Sequence, residues 1–243
     1  MGIDGYCPVR ALANIPEAIR HPRGLSLVGS WFGTYGPHLT FWRQRIFQQT
    51  AMAVPSPSKE ALREDALILR RGYASALWPS TRASLEAQLA KLVLPHLSGA
   101  RAIAVYHPLK DEISPYPIVD ALDGGARIGF PWFADRNSIF IWREGPTSEP
   151  GPWGVLQPAP DSPPIVPDIV LVPLVLADRS GTRIGHGKGH YDRALAHLRE
   201  SGSPVFTIGL GWEVQIEDGP LPSESWDIPL DAIATPKEWI DCS

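Results

Sequence analysis

The run Arg183-Ile184-Gly185-His186-Gly187-Lys188-Gly189-His190-Tyr191-Asp192-Arg193 holds the residue types best suited to gripping a polyphosphate. Alternating glycines carry no side chains, so consecutive backbone N–H groups can converge on one anion. An amphipathic helix with Tyr191, Leu195 and Leu198 on its apolar side opens there and adds the positive end of its dipole. Lys188 and Arg183 bring full positive charges to the place where phosphate oxygens would lie. The spacing is neither that of the P-loop, GxxxxGK[ST], nor that of the dinucleotide turn, GxGxxG. By itself a glycine-rich turn with one lysine also fits a tight strand-to-helix connection with a solvated Lys. The fixed positions of Arg183, Tyr191 and Asp192 around it favour a phosphate cradle.

Other charged residues fall at useful spacings. Lys59 and Arg63 are four apart, hence on one face of a helix, with Arg70 further along the same side. Lys59 in a first helical turn opposes the dipole unless an anion sits there; the alternative is an ordinary solvated basic face. Asp192 is a favourable acid for a first helical turn, and beside a polyphosphate it is also the kind of ligand Mg²⁺ takes. A second acid is available in Trp226-Asp227-Ile-Pro-Leu-Asp231, where Asp231 fits equally well the end of a strand or the cap of a turn. No Ser-His-Asp or Cys-His arrangement for covalent catalysis can be argued. The only cysteines, Cys7 and Cys242, give neither a disulfide framework nor a CxxC metal spacing, as expected of a cytoplasmic protein.

These groups need elements to hold them. From Pro57 to Trp78, Leu62, Ala66, Leu69, Tyr73 and Leu77 recur at steps of three and four, predicting a helix capped by Ser56 with Pro57 in its first turn. A second helix is expected over 81–96, with Leu85, Leu89 and Leu92 inward, and a short one over 115–122. Strands are expected over 101–106, 127–132, 139–143, 168–176 and 204–210, and a long Pro-rich loop carrying Trp153 over 146–167. Apolar strands alternating with helices predict an α/β domain whose central sheet is covered on both faces.

Composition bounds the rest. A chain of 243 residues, 44% hydrophobic and 20% charged, has room for one substantial core. No apolar run approaches the roughly 18 residues of a membrane span, and a net charge of −4 argues against a nucleic-acid partner. The first 55 residues differ from the remainder: they carry five basic and two acidic side chains, net +3, which leaves 17 − 24 = −7 for residues 56–243. We therefore expect a single catalytic domain over 56–243. Residues 1–55 are either a poorly ordered extension or the result of a start assigned at Met1 when translation begins at Met52.

Three segments together resemble the 5-formyltetrahydrofolate cyclo-ligase family. Arg183 to Leu195 fits its pattern R-[LI]-G-x-G-x-G-Y-Y-D-x-x-L, except that His190 replaces the first tyrosine. Lys59, Leu62 and Arg63 match K-x-x-L-R, and Asp111-Glu112-Ile113 matches an acidic pair before Ile. The resemblance spans about residues 57–236. It implies a three-layer α/β/α fold with a mostly parallel central sheet, of the kind seen in NagB and CoA-transferases, and a monomeric enzyme that uses ATP and Mg²⁺ to cyclise 5-formyltetrahydrofolate.

The resemblance also implies roles. Lys59, Arg63 and the loop from Arg183 to Tyr191, including Ile184, Gly185, His186, Gly187, Lys188, Gly189 and His190, would bind ATP, with Lys188 and Arg183 catalytic. Asp192 and Asp227 would hold the metal. Glu112, Tyr191, His190 and Trp153 would meet the folate, although Glu112 also fits a surface acid beside Lys110 and the aromatics also fit a core. A histidine at position 190 brings a titratable charge where the family has a phenol. Two other functions remain open on sequence: a diverged homologue that binds nucleotide or folate without cyclising it, and an RNA-associated module using the basic first 55 residues, against which the acidic body weighs.

Overall fold

The structure, a computed structural model, describes residues 57–242. The expectations placed on residues 1–55 and on a cap at Ser56 lie outside the described residues.

Helix α1 (Lys59–Ala76) starts where the Ser58 hydroxyl accepts the N–H of Ala61. The cap is thus Ser58, and Pro57 stands ahead of the helix rather than in its first turn. The face α1 buries also differs from the expected stripe: Ala66, Arg70 and Ala74 are buried, whereas Leu69 is 45% exposed. Two alanines allow close approach, and Arg70 can be buried because acids neutralise it from across the interface. Helix α2 (Pro79–Val93) begins with Pro79 in its first turn and continues into a 3₁₀ turn, Leu94–Leu97. Leu89 and Val93 are fully buried, while Leu85 and Leu92 are only partly so. Helix α3 is Tyr116–Asp120, and α4 is His190–Glu200, burying Ala194, Leu195 and Leu198.

An eight-stranded sheet forms the centre. It contains β1 (Ala102–Ala104), β2 (Arg127–Trp132), β3 (Ile141–Glu144), β6 (Pro164–Ile165), β7 (Ile169–Pro173), β10 (Phe206–Leu210), β12 (Ala232–Ala234) and β13 (Trp239–Asp241). The order is β13-β12-β10-β7-β1-β2-β3-β6. The run from β12 to β2 is parallel, with Ile103 opposite both Ile128 and Ile169, and the outer strands β13, β3 and β6 pair antiparallel. Smaller ladders join β4 (Glu149–Pro150) to β5 (Leu156–Gln157), and β8 (Leu176–Asp178) to β9 (Arg183–Ile184) and β11 (Ile216–Glu217).

Alternation along the strands explains the layers. Ile103, Val105 and Leu171 face a core shared with Leu89 and Val93 of α2. Ala102, Ala104, Val170 and Val172 face the opposite core, shared with Ala194, Leu195 and Leu198 of α4. Both sheet faces are buried, so the domain is a three-layer α/β/α structure with a mostly parallel centre, as expected.

Two expected elements are corrected. The 168–176 strand breaks at Pro173, which ends β7; the chain then turns and β8 joins the small sheet. Proline lacks the N–H that the ladder would need next. The 146–167 segment is not a structureless loop: it folds back on itself through β4 and β5 and adds β6 to the sheet edge, Ile165 opposite Trp142. Among the described residues no helix is long and apolar enough to cross a membrane.

Candidate active site

A cavity of about 680 Å³ opens beyond the carboxyl ends of β1 and β7, lined by Tyr106, His107 and Pro173. Parallel sheets characteristically present ligands at this edge. Every residue to which the family resemblance gives a phosphate, metal or folate role lines this one cavity, whereas Arg70 and Asp231 do not.

β9 feeds directly into the glycine loop. Gly187 (φ 79°) and Gly189 (φ 60°) occupy the left-handed region, and a Cβ on Gly187 would lie 3.2 Å from Arg63 Cζ. Glycine is required both by the turn and by the closeness of α1. Gly189 caps α4 without a side-chain hydrogen bond, which leaves the first N–H groups of the helix without a side-chain acceptor among the described residues.

The cations around the loop are mostly committed. Lys59 pairs with Asp227, and Arg63 pairs with Glu60 while its Nε donates to the Gly185 carbonyl at 2.7 Å. Arg183 is buried; it donates to Asp192 Oδ1 at 2.6 Å and to the Ile228 carbonyl. Burial pulls the Arg183 guanidinium below its ordinary pKa, opposed by the charges of Asp192 and Asp227. Lys188 is exposed and belongs to none of the ion pairs among the described residues.

Each candidate metal ligand uses one oxygen internally. Asp192 Oδ1 takes Arg183 and the Ile228 N–H at 3.3 Å, and Asp227 Oδ2 takes Lys59 and the Glu224 N–H at 2.7 Å. Asp192 Oδ2 and Asp227 Oδ1 accept no hydrogen bond among the described residues. Those residues hold no group of three His, Cys, Asp or Glu that would cage a metal by themselves. Two free carboxylate oxygens fit Mg²⁺, which completes its shell with phosphate and water. Asp231 lies elsewhere: it accepts the N–H and hydroxyl of Thr207 at the start of β10.

Glu112 is only 5% exposed, so the surface reading of it is excluded. One carboxylate oxygen accepts the Leu109 N–H at 2.8 Å, and the other lies 3.4 Å from Arg70 and 3.5 Å from His186 Nε2. Arg70 also donates to Asp111 at 3.0 Å and to the Leu174 carbonyl at 2.9 Å. Burial raises the Asp111 pKa, but the charge and hydrogen bond of Arg70 outweigh it, and the net shift is downward. Arg82 donates to the Lys110 and Glu112 carbonyls, and Trp212 Nε1 donates to that of Asp111, so three elements clamp this turn.

The remaining wall is aromatic. Phe133 meets Phe140 at 5.1 Å, Trp153 at 5.2 Å and His190 at 5.2 Å between ring centroids; Trp153 lies 4.8 Å from His190, and Phe140 5.2 Å from Tyr191. Trp153 has φ 60°, the only positive φ outside glycine among the described residues. Such backbone strain persists only where surroundings enforce it. His190 Nδ1 accepts from Arg193 at 3.0 Å, which leaves the proton on Nε2, and Nε2 is buried without a partner among the described residues. Burial, then the charges of Arg193 and Lys188, lower the His190 pKa, so the ring is neutral at pH 7. Burial and the charge of Glu112 push the Tyr191 phenol well above its ordinary range, against Arg183.

Sequence reasoning missed several lining residues, among them Tyr106, His107, Phe133, Phe140 and Trp226. Phe133 and Phe140 were findable: they are the next pair in a hairpin whose register sets Trp132 opposite Ile141.

Fold and site together define an α/β/α protein with a glycine-loop cavity at the carboxyl edge of a parallel sheet. The chain belongs to the 5-formyltetrahydrofolate cyclo-ligase family, whose model matches residues 55–236. It is 30% identical to the 5-formyltetrahydrofolate cyclo-ligase of Escherichia coli K12 over 68% of this chain and 95% of that one. With the Mycolicibacterium smegmatis enzyme of the same name it shares 28% identity over 75% of this chain and 96% of its relative. The fold is that of the 5,10-methenyltetrahydrofolate synthetases of Aquifex aeolicus (TM-score 0.63, 24% identity, 76% of this chain and 92% of that one) and Mycoplasma pneumoniae (TM-score 0.57, 22% identity, 77% and 100%).

Proposed function

We propose that this chain cyclises 5-formyltetrahydrofolate to 5,10-methenyltetrahydrofolate at the expense of ATP. The observation that carries the reading is the convergence of the three family segments, from α1, the 111–113 turn and the glycine loop, on one cavity. Membership of the cyclo-ligase family favours this enzyme over a binding-only homologue or an RNA module.

The formyl oxygen on N5 is a poor leaving group. ATP transfers its γ-phosphoryl group to that oxygen and leaves as ADP, N10 attacks the activated carbon and gives up its proton to solvent, and the C–O bond breaks to release phosphate and leave the methenyl bridge. The protein needs no covalent nucleophile, only alignment and cations on the phosphoryl oxygens. Lys188 and Arg183 supply positive charge to the transferring group, and the glycine loop supplies N–H donors. Lys59 and Arg63 hold the remaining phosphates. Asp192 and Asp227 would hold Mg²⁺ against the same phosphates, where it neutralises charge. Glu112 accepts hydrogen bonds from the pterin, and Tyr191, His190 and Trp153 bound the ring, with Tyr191 and His190 as neutral donors at pH 7.

The test is absorbance of the methenyl product. It is expected only when 5-formyltetrahydrofolate, ATP and Mg²⁺ are all present. Binding of both substrates with no product would instead establish the diverged homologue.

A further inference from the structure

Phosphoryl transfer imposes a direction on the nucleotide. If the pterin occupies the aromatic wall, the γ-phosphate must face that wall across the glycine loop. The α-phosphate and the nucleoside then lie with Lys59, to which the proposed function gives the remaining phosphates, and Lys59 pairs with Asp227. An aromatic with an open face, Trp226, adjoins Asp227. Trp226 lines the cavity and is 67% exposed, and among the described residues it makes no ring contact. The other lining aromatics outside the ring cluster are engaged: Tyr106 is buried with its hydroxyl on the Ile113 carbonyl, and His107 is bonded to Tyr116.

Trp226 is held there. The 224–227 turn is closed by the Asp227 N–H on the Glu224 carbonyl at 3.0 Å and by the Glu224 N–H on Asp227 Oδ2 at 2.7 Å. The same Asp227 oxygen pairs with Lys59, so the indole is anchored one residue from the phosphate-side cations. A single exposed indole is unremarkable alone. One fixed beside the cations of a polyphosphate cradle and outside the ring cluster of the aromatic wall is placed as a stacking platform for a base.

We propose that Trp226 stacks on the purine of the nucleotide and is the base-binding residue of this site. The inference rests on the ATP-dependent reading and adds the position of the base, with the pterin and the purine on separate aromatic surfaces. Stacking acts through the ring face and not through the phosphates, so it distinguishes ADP from an inorganic polyphosphate.

Calorimetric titration of the full-length chain, Trp226→Ala and Trp226→Phe with ADP and with tripolyphosphate, each with Mg²⁺, tests this. Trp226→Ala should weaken ADP by about 5- to 150-fold, the range of one base–aromatic stack. Trp226→Phe should lose less, and tripolyphosphate should bind all three proteins alike. Unchanged melting temperatures are expected from so exposed a side chain. Trp226→Ala binding ADP within twofold of wild type overturns the inference while leaving the ATP-dependent reading standing. Parallel loss of ADP and tripolyphosphate overturns it too, because Trp226 then acts only through the 224–227 turn. If wild type binds neither ligand, the ATP-dependent reading falls and the stacking role with it.

Discussion

On the glycine-loop side of the cavity, charges are held by other charges: Lys59 by Asp227, Arg63 by Glu60, Arg183 by Asp192. On the opposite side rings hold rings, Phe133 touching Phe140, Trp153 and His190. The first side is arranged before any ligand arrives because, among the described residues, each Lys or Arg that lines the cavity, Lys188 excepted, already has an anion to fix its direction. The second is fixed by packing and by one strained residue, Trp153. Under the proposed function, preorganisation is thus reached by electrostatics for the anionic ligand and by shape for the planar one. Glu112 lines the same cavity and touches Arg70 beneath it and His186 of the loop.

The largest effect is expected from removing Arg70, which holds the Glu112 carboxylate. Arg70→Met leaves Asp111 and the buried Glu112 without their guanidinium, and unpairing a buried charge costs about 3–5 kcal/mol. For a domain of this size the melting temperature should fall by about 6–20 °C. A fall of less than two degrees in a calorimetric scan would mean that Glu112 does not depend on Arg70.

Lys188→Ala is expected next. It removes the one loop cation with no ion pair among the described residues, so kcat/KM should drop about 10²- to 10³-fold, roughly 2.7–4 kcal/mol. The melting temperature should stay unchanged. Activity within twofold of wild type would take Lys188 out of the chemistry, and early unfolding would make it structural.

Glu112→Gln tests whether the shared carboxylate serves the folate side. Loss of a charge-assisted hydrogen bond, about 1.5–3 kcal/mol, predicts a rise in folate KM of roughly 10- to 100-fold with little change in KM for ATP. A rise in the ATP value instead would assign Glu112 to the phosphate side. Some loss of stability accompanies it, since Arg70 keeps only Asp111 as a charged partner.

The smallest effect is expected from His190→Tyr, which restores the family phenol. His190 titrates below its unfolded value, so as pH falls beneath about 6.5 the unfolded chain takes up the proton first. Its stabilising contribution is present above that value and is lost as pH falls through the lower folded pKa. Between pH 7 and 5 the wild-type melting temperature should decline more steeply than that of the tyrosine variant. Parallel curves would show that burial of the ring has no consequence for titration.

The charged side was legible because its residues sit at helical or loop spacings along short stretches of chain: Lys59 with Arg63, and Arg183 through Asp192. The aromatic side was largely hidden. Phe133 and Phe140 become neighbours only when β2 and β3 pair, and the segment bearing Trp153 is short ladders and turns without a period to read. Arg70 misled in a different way, since a basic residue on a helix reads as solvated until the Asp111-Glu112 turn packs over it. The class of the fold followed from apolar strands alternating with helices. The strands β12 and β13, three residues each, are too short to show alternation, and the break at Pro173 depends on where the chain turns next.

The pair Lys59–Asp227 joins residues 168 positions apart, and Ile103 on the central strand β1 waits for Ile169 before it is flanked on both sides. During synthesis the first helix therefore leaves the ribosome long before its counter-ion exists. The sheet cannot fill its centre until β7 follows, and the phosphate side of the cavity closes only when residue 227 has emerged. Loop closures of this length slow folding and keep apolar strands waiting in the open. The pocket is among the last parts of the molecule to form, and a chain interrupted between the glycine loop and the 224–227 turn carries that loop and the aromatic wall but not the Lys59–Asp227 pair that completes the proposed nucleotide site.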